Sequence, residues 1–430
     1  MTVSSSRQIT TRVWIVMFAL AIAGQLAWAI ENSWFNSFVF HVVTPDPRPV
    51  AWMVACSAIT ATLTTLLMGT LSDRTRNRWG RRRPFIFFGY IMWGITTALF
   101  PTAAFIKTTS VAVIMIVIAD SVMTFFGSTA NDAAFNAWTT DIASSDQRGR
   151  VEGVLNLCLF LAQIVATAAA GVFIDKFGYF IFFYAIGGIV MVIGLIAGSF
   201  LEDTPLPPPQ EPHRSYWAEF SDLFSLDTVR QNRDLIILLI YIMINSIGFQ
   251  VFFPYLIVFL QDYKGFTLSQ YSIIGGVVML GSAAVAIPFG ILADRWNKRT
   301  MIALATIVGS VGGVVFSLVN GLPLITIAGF LTFPFLAAGI PIASMAWLKD
   351  LLPEQNRGKF LGIRMIFWIA IPMVVGPWIG SALIQHYGIP TTTNGQAGFI
   401  PVPVIYWVGS AITLLSLIPL FFLPSGKKTA

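Results

Sequence analysis

Apolar stretches of about twenty residues, parted by short polar breaks, recur some twelve times along this 430-residue chain, from 13–41 near its start to 402–423 near its end. A helix rises 1.5 Å per residue, so each stretch has the length needed to cross roughly 30 Å of hydrocarbon. The pattern predicts an all-α membrane protein of twelve transmembrane helices. With 56% hydrophobic and only 11% charged residues, the chain lies far outside soluble usage. The opening "MTVSSSRQITTR" is polar, and the apolar stretch after it is too long for a secretory signal and lacks a small-residue cleavage site, so the first span is expected to be retained. Cys56 and Cys158 both fall inside spans, where packing is their expected role; neither a disulfide framework nor a metal site can be argued from them.

Charge fixes an orientation. With an inner N-terminus and twelve spans, all but four of the 26 Lys and Arg residues fall on the inner side; the outer four are Arg48, Lys107, Lys176 and Lys264. That asymmetry follows the positive-inside rule and predicts a multi-pass protein of the cell membrane with both termini cytoplasmic. The net charge of +6 then reports topology and contact with anionic lipid, and calls for no nucleic-acid partner.

The densest basic segment, "LSDRTRNRWGRRRPFI" at 71–86, also marks an internal repeat. Gly69, Asp73 and Arg74 after span 2 match Gly290, Asp294 and Arg295 after span 8 in a G-x-x-x-D-R pattern. Asp141 and Arg148 after span 4 match Asp350 and Arg357 after span 10, each pair seven residues apart. Two pseudo-symmetric six-helix bundles follow, expected at 1–201 and 234–430. The proline-rich 202–233 between them is a cytoplasmic linker, in which Trp217, Phe220, Leu223 and Phe224 form the apolar stripe of a short surface helix.

The doubled G-x-x-x-D-R signature on a six-plus-six helical chain resembles the major facilitator superfamily over essentially the whole sequence. "RWGRRRPFI", carried by Gly80 to Ile86, more narrowly resembles the glycoside-pentoside-hexuronide:cation symporters and the related sucrose transporters, and "WAIENS" at 28–33 resembles helix 1 of the sucrose branch. The resemblance implies the major facilitator fold and secondary active transport. It also implies that Asp132, in "ANDAAFNAW", corresponds to the cation-site aspartate of the bacterial symporters. The chain departs from that pattern at Ala61 and Thr65, where sodium-using members carry helix 2 aspartates; it has no counterpart of the helix 11 lysine, and Asn136 stands where the sucrose branch has an arginine. Proton coupling is expected rather than sodium.

Charges within the spans carry the chemistry. Glu31, Asp120 and Asp132 are the three carboxylates inside spans, and a carboxylate at mid-helix costs on the order of 3 kcal/mol. No Lys or Arg lies deep in any first-half span, and Arg364, early in span 11, is the one basic candidate elsewhere. A dry site holds a proton and a wet site releases it, as alternating exposure requires. The three are therefore expected to couple a proton, Asp132 foremost. Gln25, Trp28, Asn32 and Asn36 share one face of span 1, and Asn131 and Asn136 lie on polar stripes of span 4. These are candidate solute ligands, amides for hydroxyls and an aromatic face for a sugar ring; helix-to-helix hydrogen bonding and packing are the alternatives.

At the span ends, Asp73, Arg74, Asp294, Arg295, Arg148, Arg357, Asp141 and Asp350 are expected to act as a conformational latch, pairing locally and with helix termini across the half-interface. No phosphate-cradling loop occurs, and His41, His213 and His386 are dispersed, so neither a pump nor an enzyme is expected, nor a cofactor or bound metal. The expected function is proton-coupled symport of a sugar or glycoside by a monomer. A proton-driven exporter, a carrier of another small solute, and a non-transporting membrane sensor are the alternatives.

Overall fold

A computed structural model of the chain describes residues 9–144, 146–203, 232–295, 297–351 and 363–423. Among the described residues twelve helices are long and apolar enough to cross a membrane. They are α1 (Thr11–Val43), α2 (Arg48–Arg74), α3 (Arg83–Phe105), α4 (Thr109–Ile142), α5 (Arg148–Ala168) and α6 (Ala170–Phe200) in the first half. In the second half they are α7 (Arg233–Tyr263), α8 (Leu268–Arg295), α9 (Lys298–Leu318), α10 (Leu322–Leu351), α11 (Ile363–Tyr387) and α12 (Val404–Phe421). The expected surface helix in the linker lies outside the described residues, as does Arg357.

By compactness the chain forms two units, Met1–Phe38 with Ile59–Pro208, and Val39–Ala58 with Pro209–Ala430. In the first, α3 and α6 approach so closely that a Cβ on Gly94 would sit 2.5 Å from the Gly187 carbonyl oxygen and from the Met191 nitrogen. Lipid tails are as apolar as side chains, so close backbone packing of small residues is a main force joining such helices. Gly94→Val is expected to force α3 from α6 and lower stability by about 2 kcal/mol, read as a fall in melting temperature of the purified protein. At one end of this unit Phe35 stacks on Phe100 with centroids 3.9 Å apart, and Phe183 meets both edge-on. The chain breaks at Gly178, whose φ of 79° suits glycine. Residues 170–177 thus run on from α5, and the turn falls two residues beyond Lys176, one of the four basic residues expected on the outer side.

In the second unit, α7 packs on α11 and α12 through Gly248, Gly376 and Gly380. A hairpin that the sequence reading did not foresee, β1 (Ile389–Thr393) and β2 (Gln396–Ile400), joins α11 to α12 with Ile389 opposite Ile400. Its turn residues Asn394 and Gly395 have φ of 52° and 74°, the left-handed pair that a two-residue hairpin turn demands. Asn394 Nδ2 donates to the Val42 carbonyl at 3.2 Å, and the Phe399 amide to that of Pro45 at 3.1 Å.

Among the described residues five of the long helices are not uniform, with π-helical turns at Phe259–Tyr263 of α7, Pro334–Gly339 of α10 and Ile366–Ala370 of α11 besides those of α1 and α4. In α1 the turns at Glu31–Phe35 and Val39–Val43, and in α4 the stretch Ser128–Phe135, are π-helical. These wide turns hold Glu31, Asn131 and Asp132. Such turns are frequent at functional sites, and each shifts the faces of everything beyond it relative to a regular helix.

Candidate functional site

Asp132 sits on the wide turn of α4, half-buried, within a small polar cluster of the first unit. Ser128 Oγ donates to its Oδ2 at 3.1 Å and Asn131 Nδ2 to its Oδ1 at 3.1 Å, while the Trp28 indole N–H of α1 lies close by. Asn131 Oδ1 in turn accepts from the Tyr90 hydroxyl of α3 at 3.0 Å, and that hydroxyl also reaches the Leu20 carbonyl of α1 at 3.0 Å. Tyr90, Asn131 and Asp132 thereby form a polar chain linking three helices. Gly24 makes room for it, since a Cβ there would run into the Asn131 side chain and come within 2.8 Å of the Tyr90 hydroxyl. Trp28 is held against Trp93 at 5.0 Å between centroids. Among the described residues no arginine or lysine pairs with Asp132. Arg364 is engaged inside the second unit, its Nη1 at 3.2 Å from the Met345 sulfur and its guanidinium 5.7 Å from the Trp368 ring.

Glu31 and Asp120 form a second acidic locus in the same unit. They are 7% and 1% exposed, and Thr124 of α4 donates to Glu31 Oε1 at 2.9 Å. The face that the sequence assigns to solute ligands separates in the structure. Asn32 and Asn36 turn their amides back on their own helix, to the carbonyls of Trp28 at 2.8 Å and Asn32 at 3.1 Å. Such local bonds are the habit of asparagine in helices. Gln25 and Asn136 instead line a cavity of about 220 Å³, shared with Thr139 and Thr140 of α4 and Glu152 and Asn156 of α5. Asn136 also donates to the Asp132 carbonyl at 3.2 Å, which sets the cavity one turn from the carboxylate. Tyr90, Gly24, Glu152 and Asn156 were not singled out by sequence. Glu152 and Asn156 stand four apart on α5, a spacing that puts them on one face, and this was the available signal.

The span-end charges converge on a residue absent from the predicted latch. Arg82, 4% exposed, bonds Asp73 through Nη2, Ser72 Oγ through Nη1 at 2.5 Å and Asp141 Oδ2 through Nε at 3.2 Å. Arg81 adds a second bond to Asp141 at 2.5 Å. Asp203 accepts from the backbone amides of Arg82 and Arg83 at 2.6 and 3.2 Å. Arg74 and Arg148 are exposed at the ends of α2 and α5. In the second unit Asp350 pairs with Lys298. Asp294 and Arg295 close α8, and their side chains lie outside the described residues.

The sequence profile of the Major Facilitator Superfamily matches residues 13–265 and 238–430. The inner membrane transport protein YajR of Escherichia coli is 31% identical over 146 residues, 33% of this chain and 32% of that one. The chain spans about a third of the length of the curated relatives it matches. Among solved structures, the nucleoside transporter NupG superposes with a TM-score of 0.74 at 14% identity, covering 94% of this chain and 99% of that one. A D-xylose-proton symporter superposes with a TM-score of 0.67 at 14% identity, covering 97% and 100%. At such identities the structural neighbours show the fold alone.

Proposed function

Because this chain belongs to the Major Facilitator Superfamily, we propose that it carries a sugar or glycoside together with a proton, by alternating access of its two halves, 1–201 and 234–430. The observation that carries this reading is Asp132. It is a half-buried carboxylate in a membrane-spanning helix, held among the described residues by neutral donors, Ser128 and Asn131 with the Trp28 indole close by, beside a polar cavity. A carboxylate without a cationic partner is expensive to keep charged in a dry site and inexpensive in a wet one, so its proton follows the accessibility of the site. Glu31 and Asp120 serve as auxiliary proton sites. Trp28, Gln25 and Asn136 supply the ring-facing aromatic and the amides that hydroxyl groups need. Asn131, buried between Tyr90 and Asp132, instead positions the carboxylate, and Asn32 and Asn36 bond their own helix.

A D-xylose-proton symporter shares this fold, so the fold accommodates the pairing of sugar with proton. The short resemblance to the glycoside and sucrose symporters, at Gly80 to Ile86, points the same way. In this reading the protein works as a monomer in the cell membrane with both termini cytoplasmic. Asp73, Asp141 and their repeats Asp294 and Asp350, with Arg74, Arg148, Arg295 and Arg357, latch the cytoplasmic ends of the helices.

Uptake into proteoliposomes tests the assignment. Acidifying the outside of vesicles loaded at neutral pH is expected to accelerate accumulation of at least one labelled mono- or disaccharide by about tenfold over equal-pH controls, since each pH unit is a tenfold driving force. If an outside acid pulse speeds no sugar in the panel, symport is wrong, and proton-driven export becomes the reading to test with the gradient reversed.

A further inference from the structure

The cavity beside Asp132 contains a charged wall that proton coupling does not use. Glu152 lines it from α5, facing Gln25 of α1 and Asn136 of α4 around a volume of about 220 Å³. Arg148 lies four residues before Glu152, the spacing at which helical side chains pair, yet among the described residues no ion pair joins them. Among the described residues it is the Glu152 backbone that is engaged, its carbonyl accepting from Asn156 Nδ2 at 2.8 Å. The carboxylate thus remains available to whatever enters.

The walls are chemically of one kind. Gln25 offers an amide donor and acceptor, Asn136 and Asn156 a side-chain carbonyl and the N–H not turned to their own helix, Thr139 an acceptor oxygen, and Leu155 an apolar strip. A carboxylate accepts from two adjacent hydroxyls at once, the amides exchange bonds with the others, and the apolar strip suits the C–H face of a ring. At about 220 Å³ the cavity lies below the roughly 300–1,000 Å³ of drug-sized ligand pockets, which suits a single ring rather than a longer chain of them. Glu152 and Asn156 are exposed at the cavity's open side, so a second negative charge brought against that carboxylate meets a repulsion that water partly screens and that no arginine or lysine in the cavity wall relieves.

We infer that this cavity is a solute subsite for a single neutral or cationic sugar ring, and that Glu152 is the specificity-determining residue that turns anionic rings away. The inference rests on the solute-transport reading above, but not on proton coupling. Its test is therefore equilibrium binding to the purified full-length protein in lipid nanodiscs, at one pH and with no gradient.

Three probes share one ring and differ in charge: D-glucose, D-glucosamine and D-glucuronate. The wild type is expected to bind the first two and to bind glucuronate at least about tenfold more weakly. Glu152→Gln keeps the shape and an acceptor while removing the charge, and is expected to bring glucuronate to within about threefold of glucose. Asn156→Asp adds a carboxylate to the same wall and is expected to widen the gap, which keeps the test decisive should Glu152→Gln fold poorly. An unchanged glucose-to-glucuronate ratio in a folded Glu152→Gln or Asn156→Asp protein would overturn the inference. So would a wild type that binds none of the three. A failure of acid-driven uptake, by contrast, would leave it standing.

Discussion

Replacing Asp132 by asparagine is expected to reduce gradient-driven solute accumulation to the passive level, while solute counterflow at equal pH stays within about threefold of wild type. The amide still accepts from Ser128 Oγ, whose bond to Oδ2 is 3.1 Å long, so the local structure persists. What is lost is the one property an amide lacks, a proton that can be bound and released. Removing an ionisable carboxyl from a coupled cycle removes the full driving force of the gradient, about tenfold for each pH unit, whereas solute binding depends on groups that stay in place. Uptake and counterflow measured on the same vesicles separate the two. Accumulation surviving in the Asp132→Asn protein would move the coupling to the Glu31 and Asp120 locus, where Thr124 bonds Glu31 at 2.9 Å.

The second large effect is expected at Arg82. Truncation to alanine removes bonds to Asp73, Ser72 and Asp141 from a guanidinium whose residue is 4% exposed. A buried cation that satisfies two carboxylates is worth several kcal/mol when both partners are dry. Here the Asp73 side chain is 57% exposed and Asp141 keeps Arg81, so the freed carboxylates regain water and the cost falls to about 2 kcal/mol. Arg82→Ala is expected to lower the melting temperature and slow turnover by at least about tenfold, the rate equivalent of 1.4 kcal/mol. Asp73→Asn should do less, because Arg82 then retains Ser72 and Asp141. Turnover slowed equally by both substitutions would place the controlling bond between Asp73 and Arg82 alone.

These two residues show how far the sequence could be read. The twelve spans were legible because their length and apolarity answer to bilayer thickness alone, and the Gly178 break fell where a lysine and a glycine interrupt the apolar run. Asp132 could be proposed because it is one of three carboxylates inside the spans, and the resemblance to the bacterial symporters puts it foremost. Arg82 was hidden among six arginines in one segment, since composition cannot say which guanidinium folds inward. The regular helical wheel placed Asn32 and Asn36 with Gln25, but the wide turn at Glu31–Phe35 begins between them and alters the pitch. The hairpin had a signal: Asn394 and Gly395 form the dipeptide that favours a two-residue turn, but the short flanking run "IPTTT" reads as an ordinary loop beside spans so much longer.

The wide turns of α1 and α4 have a mechanical consequence. A stretch that already bonds one register looser than its surroundings can tighten by exchanging one acceptor for the next, without breaking the rod above or below. A helix so built can shorten or rotate locally like a telescoping joint. Protonation or solute contact at residues 31 and 131–132 would then be felt as a twist of the segment beyond, carried by the backbone itself.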